Sequence, residues 1–438
     1  MTAPTRAMGP WMSTALVVGN IIGIGIFLMP ASLAPFGLNA VTAWLVTGVG
    51  CGAIALTFVA LARQYPAADG PYDYTLQALG PVAAFFVMWC YWVSVWVANA
   101  AIAMGVVGYL LYFTPALATS ALVPPLAGLA LVWLFVGINL QGVRASGSVQ
   151  VGTTVLKLLP QAGVILLGLF VLLMRPEAYR AHVPPNPAAW GEVASASALA
   201  LFAMLGIECA VIAATRVRDP ERNIPRATLG GTLICTAIYL GISVVPIFLI
   251  PQAQLATSTA PFADLLAGQL GGQWGGVLAA FVIVSGLGTL NGWTLVIGEV
   301  TETMARHGAF PASLARLNRH GAPARAFLIS GVITSVMLLG NYAGSIAGLF
   351  AFLTSMAVNL SLPIYFAAAL AVLKLPRVRT RPALLLYVAL SLGYCVWIGY
   401  GLERKPLVWG LVLGLAGLPL YFAYNRAQRR PVAAGKAA

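Results

Sequence analysis

The chain has 438 residues, of which 60% are hydrophobic and only 8% are charged, and its formal net charge is +13. Its mean hydropathy is +0.90. This composition excludes a water-soluble globular domain, because apolar runs extend from one end of the chain to the other. We therefore expect a membrane protein.

The predicted elements are twelve membrane-spanning helices, because a span needs about 20 mostly apolar residues. In chain order they lie near residues 11–34, 38–63, 82–112, 121–140, 149–174, 194–215, 229–250, 273–303, 326–341, 345–373, 383–402 and 406–424. The first apolar run continues without a cleavage-like small-residue site, so we do not expect a removed signal peptide. The whole chain, 1–438, is expected to form a single all-α transmembrane domain.

Positive charge is distributed unevenly between the two sides of this predicted bundle. With the loops assigned alternately and both termini on one side, 19 Lys and Arg residues fall on that side and 4 on the other. The positive-inside rule then places both termini in the cytoplasm. The basic excess orients the protein and suits contact with anionic lipid, so we expect no nucleic-acid partner.

Side chains that bind metals or act as nucleophiles are few. The five cysteines all fall in apolar runs, at Cys51, Cys90, Cys209, Cys235 and Cys395. Their spacings match no metal site, and we expect no disulfides. The three histidines lie in predicted loops, and neither HExxH nor GxSxG occurs. We therefore expect no metal, no cofactor and no enzymatic activity.

The first predicted span contains GNIIGIGIF (19–27), with glycines at 19, 23 and 25. A glycine costs about 1 kcal/mol relative to alanine in a helix interior. One interpretation is close helix packing over the glycines. The other is a break near Gly23–Gly25, whose free N–H groups suit a carboxylate and whose free carbonyls suit an ammonium group. Unwound backbone at this depth requires a cavity or burial in protein.

The sixth predicted span repeats this feature, because FAMLGIECA (202–210) has a polar, glycine-containing middle. The third and eighth candidates are both unusually long. Corresponding irregularities five helices apart indicate an inverted-repeat transporter with discontinuous helices. We predict a first repeat at 1–174, a second at 194–373, two additional helices at 383–424 and a cytoplasmic tail at 425–438.

Three ionisable residues, Lys157, Glu208 and Glu299, lie well inside predicted spans. Each costs roughly 2.5–3.5 kcal/mol at a helix centre, so each is a candidate for function. Glu208 suits carrying a proton or pairing with a cationic substrate, and the alternative is a structural hydrogen bond. Lys157 either bridges the first and eighth helices as a built-in cation or snorkels to the interface. Glu299 either belongs to the site or pairs with a cytoplasmic arginine.

Four stretches carry a family resemblance: GNIIGIGIF, DGPYDYTLQALG (69–80), LGIECA followed by RDPERNIPRATLGG (205–231), and GTLNGWTLVIGE (288–299). With these in order, the sequence resembles the amino acid–polyamine–organocation superfamily. Within it the sequence is similar to the basic amino acid/polyamine antiporters, which include the arginine/agmatine exchanger. The resemblance covers nearly the whole chain.

This resemblance implies a LeuT-like fold with twelve helices, a 5+5 inverted repeat, discontinuous helices 1 and 6, and a substrate site at mid-membrane. It assigns the N–H groups of Gly23, Ile24 and Gly25 to the substrate carboxylate. It assigns the carbonyl of Ile21 to the substrate ammonium group. The residues that the resemblance places around the substrate are Ile21, Gly23, Ile24, Gly25, Ser94, Asn99, Phe202, Leu205, Trp293 and Met356.

The resemblance also implies three gating side chains, Tyr91, Phe202 and Trp293, and two proton- or pH-coupling groups, Glu208 and Lys157. Trp293 matches an aromatic residue that stacks on an extended cationic side chain.

The sequence also departs from the pattern of the arginine exchanger. Ile24 and Met356 replace serines and Phe202 replaces a tryptophan, so the pocket is more apolar than an arginine site should be. Lys157 is absent from the arginine exchanger. It matches a lysine of neighbouring amino acid transporters that occupies the position of a sodium ion in sodium-driven relatives.

We therefore expect a bacterial inner-membrane transporter that exchanges an amino acid, such as a cationic one, for a related amine or amino acid by alternating access. The alternative is proton-coupled uptake of neutral amino acids, which Lys157 and the apolar pocket favour. A channel or an intramembrane enzyme is disfavoured, because the spans offer few polar residues and no catalytic constellation. The expected partners are the substrate, the lipid bilayer and, for the alternative, protons; homodimers occur among relatives.

Overall fold

The computed structural model describes residues 8–66, 68–114, 116, 122–184, 187–258, 260–340, 346–376 and 381–429. Over these residues the chain is helical, and the one extended pairing within them is an isolated bridge between Met8 and Val217. The α-helices of this described part are α1 (Pro10–Ile21), α2 (Ile24–Leu33), α3 (Leu38–Gln64), α4 (Pro71–Leu79), α5 (Pro81–Tyr112), α6 (Val123–Asn139), α7 (Val143–Met174), α8 (Pro176–Ala181), α9 (Trp190–Met204), α10 (Cys209–Ile212), α11 (Pro220–Leu249), α12 (Gln252–Thr257), α13 (Pro261–Leu270), α14 (Gly272–Arg306), α15 (Ala324–Gly340), α16 (Ile346–Leu373), α17 (Pro382–Gly401), α18 (Arg404–Leu415) and α19 (Gly417–Arg429).

Glycine and proline determine where many of these helices begin. Gly80, with φ 87°, follows α4, and Pro81 is the first residue of α5. Glycine enters this left-handed region without strain, and a proline at the first helical position loses no backbone hydrogen bond. Pro220 starts α11 in the same way, earlier than the predicted start of the seventh span. Pro225 and Pro246 both lie inside α11, and this 30-residue helix tolerates the backbone hydrogen bonds that they cannot donate.

The helices agree broadly with the predicted spans. Nine helical segments of the described chain are long and apolar enough to cross a membrane. Three shorter apolar helices, Val123–Asn139, Trp190–Met204 and Ala324–Leu339, lie where the fourth, sixth and ninth spans are predicted. Residues 121, 341 and 345, which belong to the predicted fourth, ninth and tenth spans, lie outside the described residues, as do residues 430–438 of the predicted tail. The protein is therefore an all-helical, multi-pass membrane protein.

Burial separates central helices from peripheral ones. In Pro81–Tyr112, 89% of the most apolar window is buried, whereas in Arg404–Ala423 only 22% is buried. Large apolar side chains such as Leu173 and Val396 are exposed at the periphery. Because the surrounding solvent is lipid, such side chains need no protein cover. The buried centre lies around α5, α9 and α14. Polar groups of a binding site there would be surrounded by protein and shielded from lipid.

The first predicted span is interrupted. α1 ends at Ile21, and Ile22 (ψ 95°) and Gly23 (φ −133°, ψ −162°) are extended before α2 begins at Ile24. The break therefore lies slightly earlier than the predicted position at Gly23–Gly25, and Gly25 is helical.

The sixth predicted span is interrupted as well. α9 ends at Met204, residues 205–208 form turns, and α10 has only four residues. Gly206 has φ 121°, and a Cβ atom there would lie 2.9 Å from the backbone nitrogen of Ile21. The two breaks thus lie against each other, and a side chain at position 206 would separate them.

Candidate functional site

Lys157 holds the end of α1. Its Nζ atom donates hydrogen bonds to the carbonyl oxygens of Gly19 and Ile22, both at 2.6 Å, and to Thr289 Oγ1 at 3.0 Å. The side chain is completely buried. It therefore does not snorkel to the membrane interface, and it joins α7 to α1 and α14.

Two other side chains donate hydrogen bonds to the backbone carbonyls that lie between those of Gly19 and Ile22. The Tyr239 hydroxyl donates to the Ile21 carbonyl at 2.6 Å, and the Trp293 indole N–H donates to the Asn20 carbonyl at 3.3 Å. A helix ends with four carbonyls that have no partner in the helix. With Lys157, every carbonyl from 19 to 22 has a side-chain donor, so the interrupted backbone is stable inside the protein.

The start of α2 is left open. Gly23 is its N-cap and supplies no side-chain cap, so the first N–H groups of the helix have no capping acceptor from that residue. A Cβ atom at Gly23 would lie 2.6 Å from Thr289, and one at Gly25 would lie 3.1 Å from the Phe202 ring. The glycines of GNIIGIGIF therefore agree with both interpretations of this motif. They lie at a helix break, and they also allow neighbouring side chains to pack closely.

The second break lies beside the first. The Asn20 amide donates a hydrogen bond to Cys209 Sγ at 3.0 Å, which connects α1 to the start of α10. Glu208, the residue before α10, is fully buried. Its two carboxylate oxygens accept hydrogen bonds from Tyr91 (2.7 Å) and Tyr365 (2.8 Å). The carboxylate is thus held by two hydroxyls, one from α5 and one from α16.

A small cavity lies between the two breaks. Its free space is about 10 Å³, which is the room that roughly one water molecule takes. The predicted site residues that line it are Ile21, Gly23, Gly25, Phe202, Leu205 and Trp293. Asn20, Ala98, Ile102, Ala203 and Thr289 complete the lining. No side chain in this lining is charged, so the cavity itself is largely apolar.

Four of the residues predicted to surround the substrate are buried but do not line this cavity: Ile24, Ser94, Asn99 and Met356. The Ile24 side chain packs where a Cβ atom on Gly105 would lie, 2.9 Å away. Ser94 donates its hydroxyl to the Tyr91 carbonyl at 2.7 Å. The Asn99 Oδ1 atom has no hydrogen-bond partner.

The sequence profile of the amino acid permease family matches residues 8–424. The chain belongs to the amino acid permease family. This confirms the resemblance drawn from the four motifs.

Individual relatives cover almost the whole chain of this permease. It is 31% identical to the putative arginine/ornithine antiporter of Bacillus subtilis, over 97% of this chain and 98% of that protein. It is 30% identical to the putrescine transporter PotE of Escherichia coli, over 96% of each chain. It is also 30% identical to the arginine/agmatine antiporter of Chlamydia pneumoniae, over 96% of this chain and 90% of that protein.

A buried group of charged side chains connects α14 to the second interrupted helix of the permease. Arg216 Nε lies 3.1 Å from Glu299 Oε2, and Arg216 Nη2 lies 2.8 Å from Glu302 Oε2. Arg216 belongs to the 3₁₀ turn Ala214–Arg216, which follows α10. Of the two roles left open for Glu299, the structure shows the ion pair with an arginine.

A second charged group follows at the end of α14. Arg306 Nη1 lies 2.6 Å from Asp69 Oδ2, and His307 Nε2 lies 3.3 Å from the same oxygen. Burial alone raises the pKa of Asp69, but the hydrogen bond with His307 and the charge of Arg306 together bring this pKa below its ordinary value. Asp69 lies between α3 and α4, so this contact ties that connection to α14.

Sequence reasoning did not single out Tyr239, Thr289, Tyr365 and Arg216. A partial signal was present for two of them, because Tyr239 and Tyr365 lie inside apolar spans rather than at the interfaces where tyrosines concentrate. Thr289 precedes Trp293 by four residues and so shares its helix face. Arg216 carries no such signal, because it lies in a segment with several arginines.

Proposed function

We propose that this permease is an exchanger of the bacterial inner membrane, which carries an amino acid in one direction and a related amine or amino acid in the other by alternating access. The observation that carries the proposal is the cavity between two abutting helix breaks, lined by Gly23, Gly25, Phe202 and Trp293. The relatives named as antiporters and as a putrescine transporter support exchange over uptake alone.

The start of α2 is the proposed binding site for the substrate carboxylate. The N–H groups of Gly23, Ile24 and Gly25 lie at the positive end of a ten-residue helix. Such an end attracts anions through backbone donors and needs no basic side chain. The substrate ammonium group is assigned to the Ile21 carbonyl, whose second lone pair is free beside the bond from Tyr239.

Phe202 and Trp293 are the proposed gating side chains, which move to open the cavity. Phe202 packs against Phe350 with ring centroids 5.8 Å apart, and its ring also lies over Gly25. The cavity is too small for an amino acid, so substrate entry requires these rings to turn away from the first break. Tyr91 is the proposed gate on the side of Glu208, whose carboxylate it binds. Glu208 is the proposed pH-responsive group.

The rest of the proposed binding set lies around this chamber. Ser94, Asn99 and Met356 are assigned to its walls and are buried in the protein, and Leu205 lines it. Asn99 has an unbonded carbonyl oxygen, which suits the distal end of a substrate that carries donors. Lys157 is the proposed built-in cation, which holds the first break without a bound sodium ion.

We further propose a LeuT-like arrangement of twelve spans, with repeats at 1–174 and 194–373, two additional helices at 383–424 and a tail at 425–438. Both termini are placed in the cytoplasm, because the basic loops fall on that side. Homodimerisation and contact with anionic lipid at the basic face belong to the same proposal.

Counterflow in proteoliposomes tests the exchange. Vesicles are loaded with arginine, ornithine, putrescine or no substrate, and the uptake of labelled arginine is measured. We expect uptake only with substrate inside and no effect of a protonophore. Equal uptake into empty vesicles that collapses with a protonophore would instead establish proton-coupled transport.

Competition tests the substrate class. A thermal-shift screen of amino acids and amines on the purified permease is followed by displacement of the best ligand with arginine. We expect arginine at millimolar concentration to displace it. Failure to displace a bound neutral amino acid would reject a cationic substrate, and the uncharged lining of the cavity would then explain the result.

A further inference from the structure

A groove runs along the surface of the bundle between α3 and α17. Leu45, Val49 and Gly50 of α3 contribute to its lining, as do Leu390 and Gly393 of α17. Its free space is about 450 Å³, which lies within the range of about 300–1,000 Å³ of sites that bind small molecules. The cavity between the two helix breaks is far smaller. The groove is therefore a separate place with room for a ligand.

Small residues create this groove. A Cβ atom at Gly50 would overlap the ring of Tyr394, so this glycine lets α3 and α17 touch at the floor of the groove. A Cβ atom at Gly393, in contrast, would meet nothing within 4 Å. Gly393 and Ala389 thus leave a space that larger side chains of α17 would fill.

The lining of the groove is apolar. Tyr394 and Trp397 are the lining residues that have polar side-chain atoms. The Tyr394 hydroxyl is buried, and the Trp397 indole N–H donates to Ser197 Oγ of α9 at 3.2 Å. Water is not a suitable occupant, because a buried water molecule needs two to four polar partners. An empty space is unfavourable too, because the atoms around it lose dispersion contacts. The lining therefore favours a hydrocarbon.

The groove is nearly as long as one leaflet of a bilayer is thick. Along α17 its lining extends from Ala389 to Trp397, which is about 12 Å at the rise of an α-helix. One leaflet contributes about 15 Å to the hydrocarbon core. At the rim, Leu45 is 55% exposed and Val49 is 61% exposed. The groove therefore opens sideways into the lipid, and an acyl chain can enter it from there.

The end of the groove beside Trp397 lies close to a membrane interface. Trp190 packs against Trp397 with ring centroids 6.2 Å apart, and its own side chain is 70% exposed. Tyr400, one residue before the end of α17, is 74% exposed. Exposed tryptophan and tyrosine residues are concentrated at the level of the lipid headgroups. A lipid whose chain lies in the groove therefore has its headgroup near the end of α17.

Two basic side chains follow α17 at this interface. Arg404 and Lys405 are the first residues of α18, and both are exposed. The Lys405 ammonium lies 5.7 Å from the centre of the Phe352 ring. Within the described part of the chain, no carboxylate forms an ion pair with either basic residue. Glu403 precedes them, so basic side chains are in excess here. Arginine and lysine both bind phosphate groups through charge-assisted hydrogen bonds.

We propose that the groove between α3 and α17 binds one acyl chain of a membrane phospholipid, whose phosphate group is bound by Arg404 and Lys405. The chain lies over Gly393, and the headgroup lies at the level of Tyr400. Both α3 and α17 pack against α9, the first half of the second interrupted helix. The bound lipid thus stabilises the helix pair that supports α9, whatever the substrate of the permease is.

A second copy of the chain fits the groove less well than a lipid does. An α-helix with its side chains is about 10–12 Å wide, so about 450 Å³ has room for roughly one turn of a helix. Stable interfaces between proteins bury about 1,200–2,000 Å². One turn is too small a contact for such an interface, whereas a single hydrocarbon chain fills the groove.

Native mass spectrometry tests the site. The purified protein is incubated in detergent with dioleoyl phosphatidylglycerol or with dioleoylglycerol, which has the same chains but no phosphate. We expect the wild type to retain one phosphatidylglycerol molecule and to retain dioleoylglycerol about tenfold less, because the charge-assisted hydrogen bonds are lost. Gly393→Leu, which places a side chain in the groove, should retain much less phosphatidylglycerol. Gly399→Leu is the matched control, since a Cβ atom at Gly399 of the same helix also meets nothing within 4 Å but lies outside the lining.

The double variant Arg404→Gln, Lys405→Gln should retain less phosphatidylglycerol and as much dioleoylglycerol as the wild type. Equal retention of phosphatidylglycerol in Gly393→Leu and Gly399→Leu would overturn the proposal, as would equal retention of the two lipids by the wild type. A dimer that is lost in Gly393→Leu alone would show that a second copy occupies the groove, and would also overturn it. Thermal unfolding establishes that each variant is folded.

A second measurement uses the unchanged protein. Phosphatidylglycerol with a diazirine group in one acyl chain is added to nanodiscs, and the residues that it labels after illumination are identified. We expect more label at Leu45, Val49 and Leu390 than at Leu166 and Leu173 of α7, although these two are more exposed. Labelling in proportion to exposure would overturn the site. Neither measurement involves transport, so failure of the proposed exchange would not affect their outcome.

Discussion

The lack of a Cβ atom at Gly23 is essential to the geometry of the first break. The Thr289 side chain occupies the space where a Cβ atom of residue 23 would lie. Thr289 in turn accepts the third hydrogen bond of Lys157. The glycine therefore lets the broken backbone, the hydroxyl and the ammonium group meet at one place.

We expect Gly23→Ala to lower the free energy of unfolding by about 1–3 kcal/mol, because the added methyl group overpacks against Thr289. Thermal unfolding in detergent measures the change. Gly52→Ala is the matched control, since a Cβ atom at Gly52 meets nothing within 4 Å. Equal losses of stability in the two variants would contradict the role assigned to Gly23.

Glu208 offers a second prediction for a single residue. We expect Glu208→Gln to flatten the pH dependence of exchange, because an amide does not titrate and still fills the space between Tyr91 and Tyr365. Exchange rates across a pH series measure it. Tyr365→Phe is the control, since it keeps the carboxyl group and should keep a pH-dependent rate. An unchanged profile in Glu208→Gln would exclude this acid as the pH-responsive group.

At the scale of elements, the sequence predicted both interrupted helices but not the exact position of the first break. Glycines and polar residues in apolar runs are visible in the sequence. What ends α1 at Ile21, however, is a set of donors from three other helices: Lys157 of α7, Tyr239 of α11 and Trp293 of α14. Partners so distant along the chain are not encoded in any local pattern.

The same reasoning explains which site residues were predicted. Backbone positions such as Gly23 and Gly25 belong to a motif and were identified from it. Thr289 and Tyr365 act through contacts with Lys157 and Glu208, residues more than a hundred positions away. Lys157 itself was identified because a charge in an apolar span costs free energy. A buried hydroxyl group in such a span gives no comparable signal in the sequence.

Lys157 joins three elements, and its replacement should loosen all three. In Lys157→Met the carbonyls of Gly19 and Ile22 lose their donor, at a cost of about 1–3 kcal/mol for each unpaired group. We expect faster amide hydrogen exchange at residues 19–25 and loss of transport. Lys374→Met, which changes an exposed lysine, is the control. Unchanged amide exchange in Lys157→Met would show that α1 is held by other contacts.

At the scale of the whole molecule, Asp69 links the connection between α3 and α4 to the end of α14. Its pKa is below the ordinary value in the folded protein, so its ionised form stabilises the fold. This contribution is present at neutral pH and is lost as the pH falls through the folded-state pKa. The contact thus makes the fold sensitive to acid on one face.

We expect Asp69→Asn to be less stable than the wild type at neutral pH, because Arg306 loses its charged partner. The difference should shrink on acidification, since the wild-type carboxyl group then becomes neutral too. Denaturation midpoints in detergent over a pH series measure this. Glu177→Gln alters an exposed acid of α8 and serves as control. A stability difference that is constant with pH would refute the assignment.

The size of the central cavity has a consequence for the membrane around the protein. A chamber with room for about one water molecule cannot admit an ion together with its hydration shell. In this closed form the chamber offers no passage to a hydrated ion. A membrane that carries many copies of the protein in this form therefore does not lose its ion gradients through this chamber.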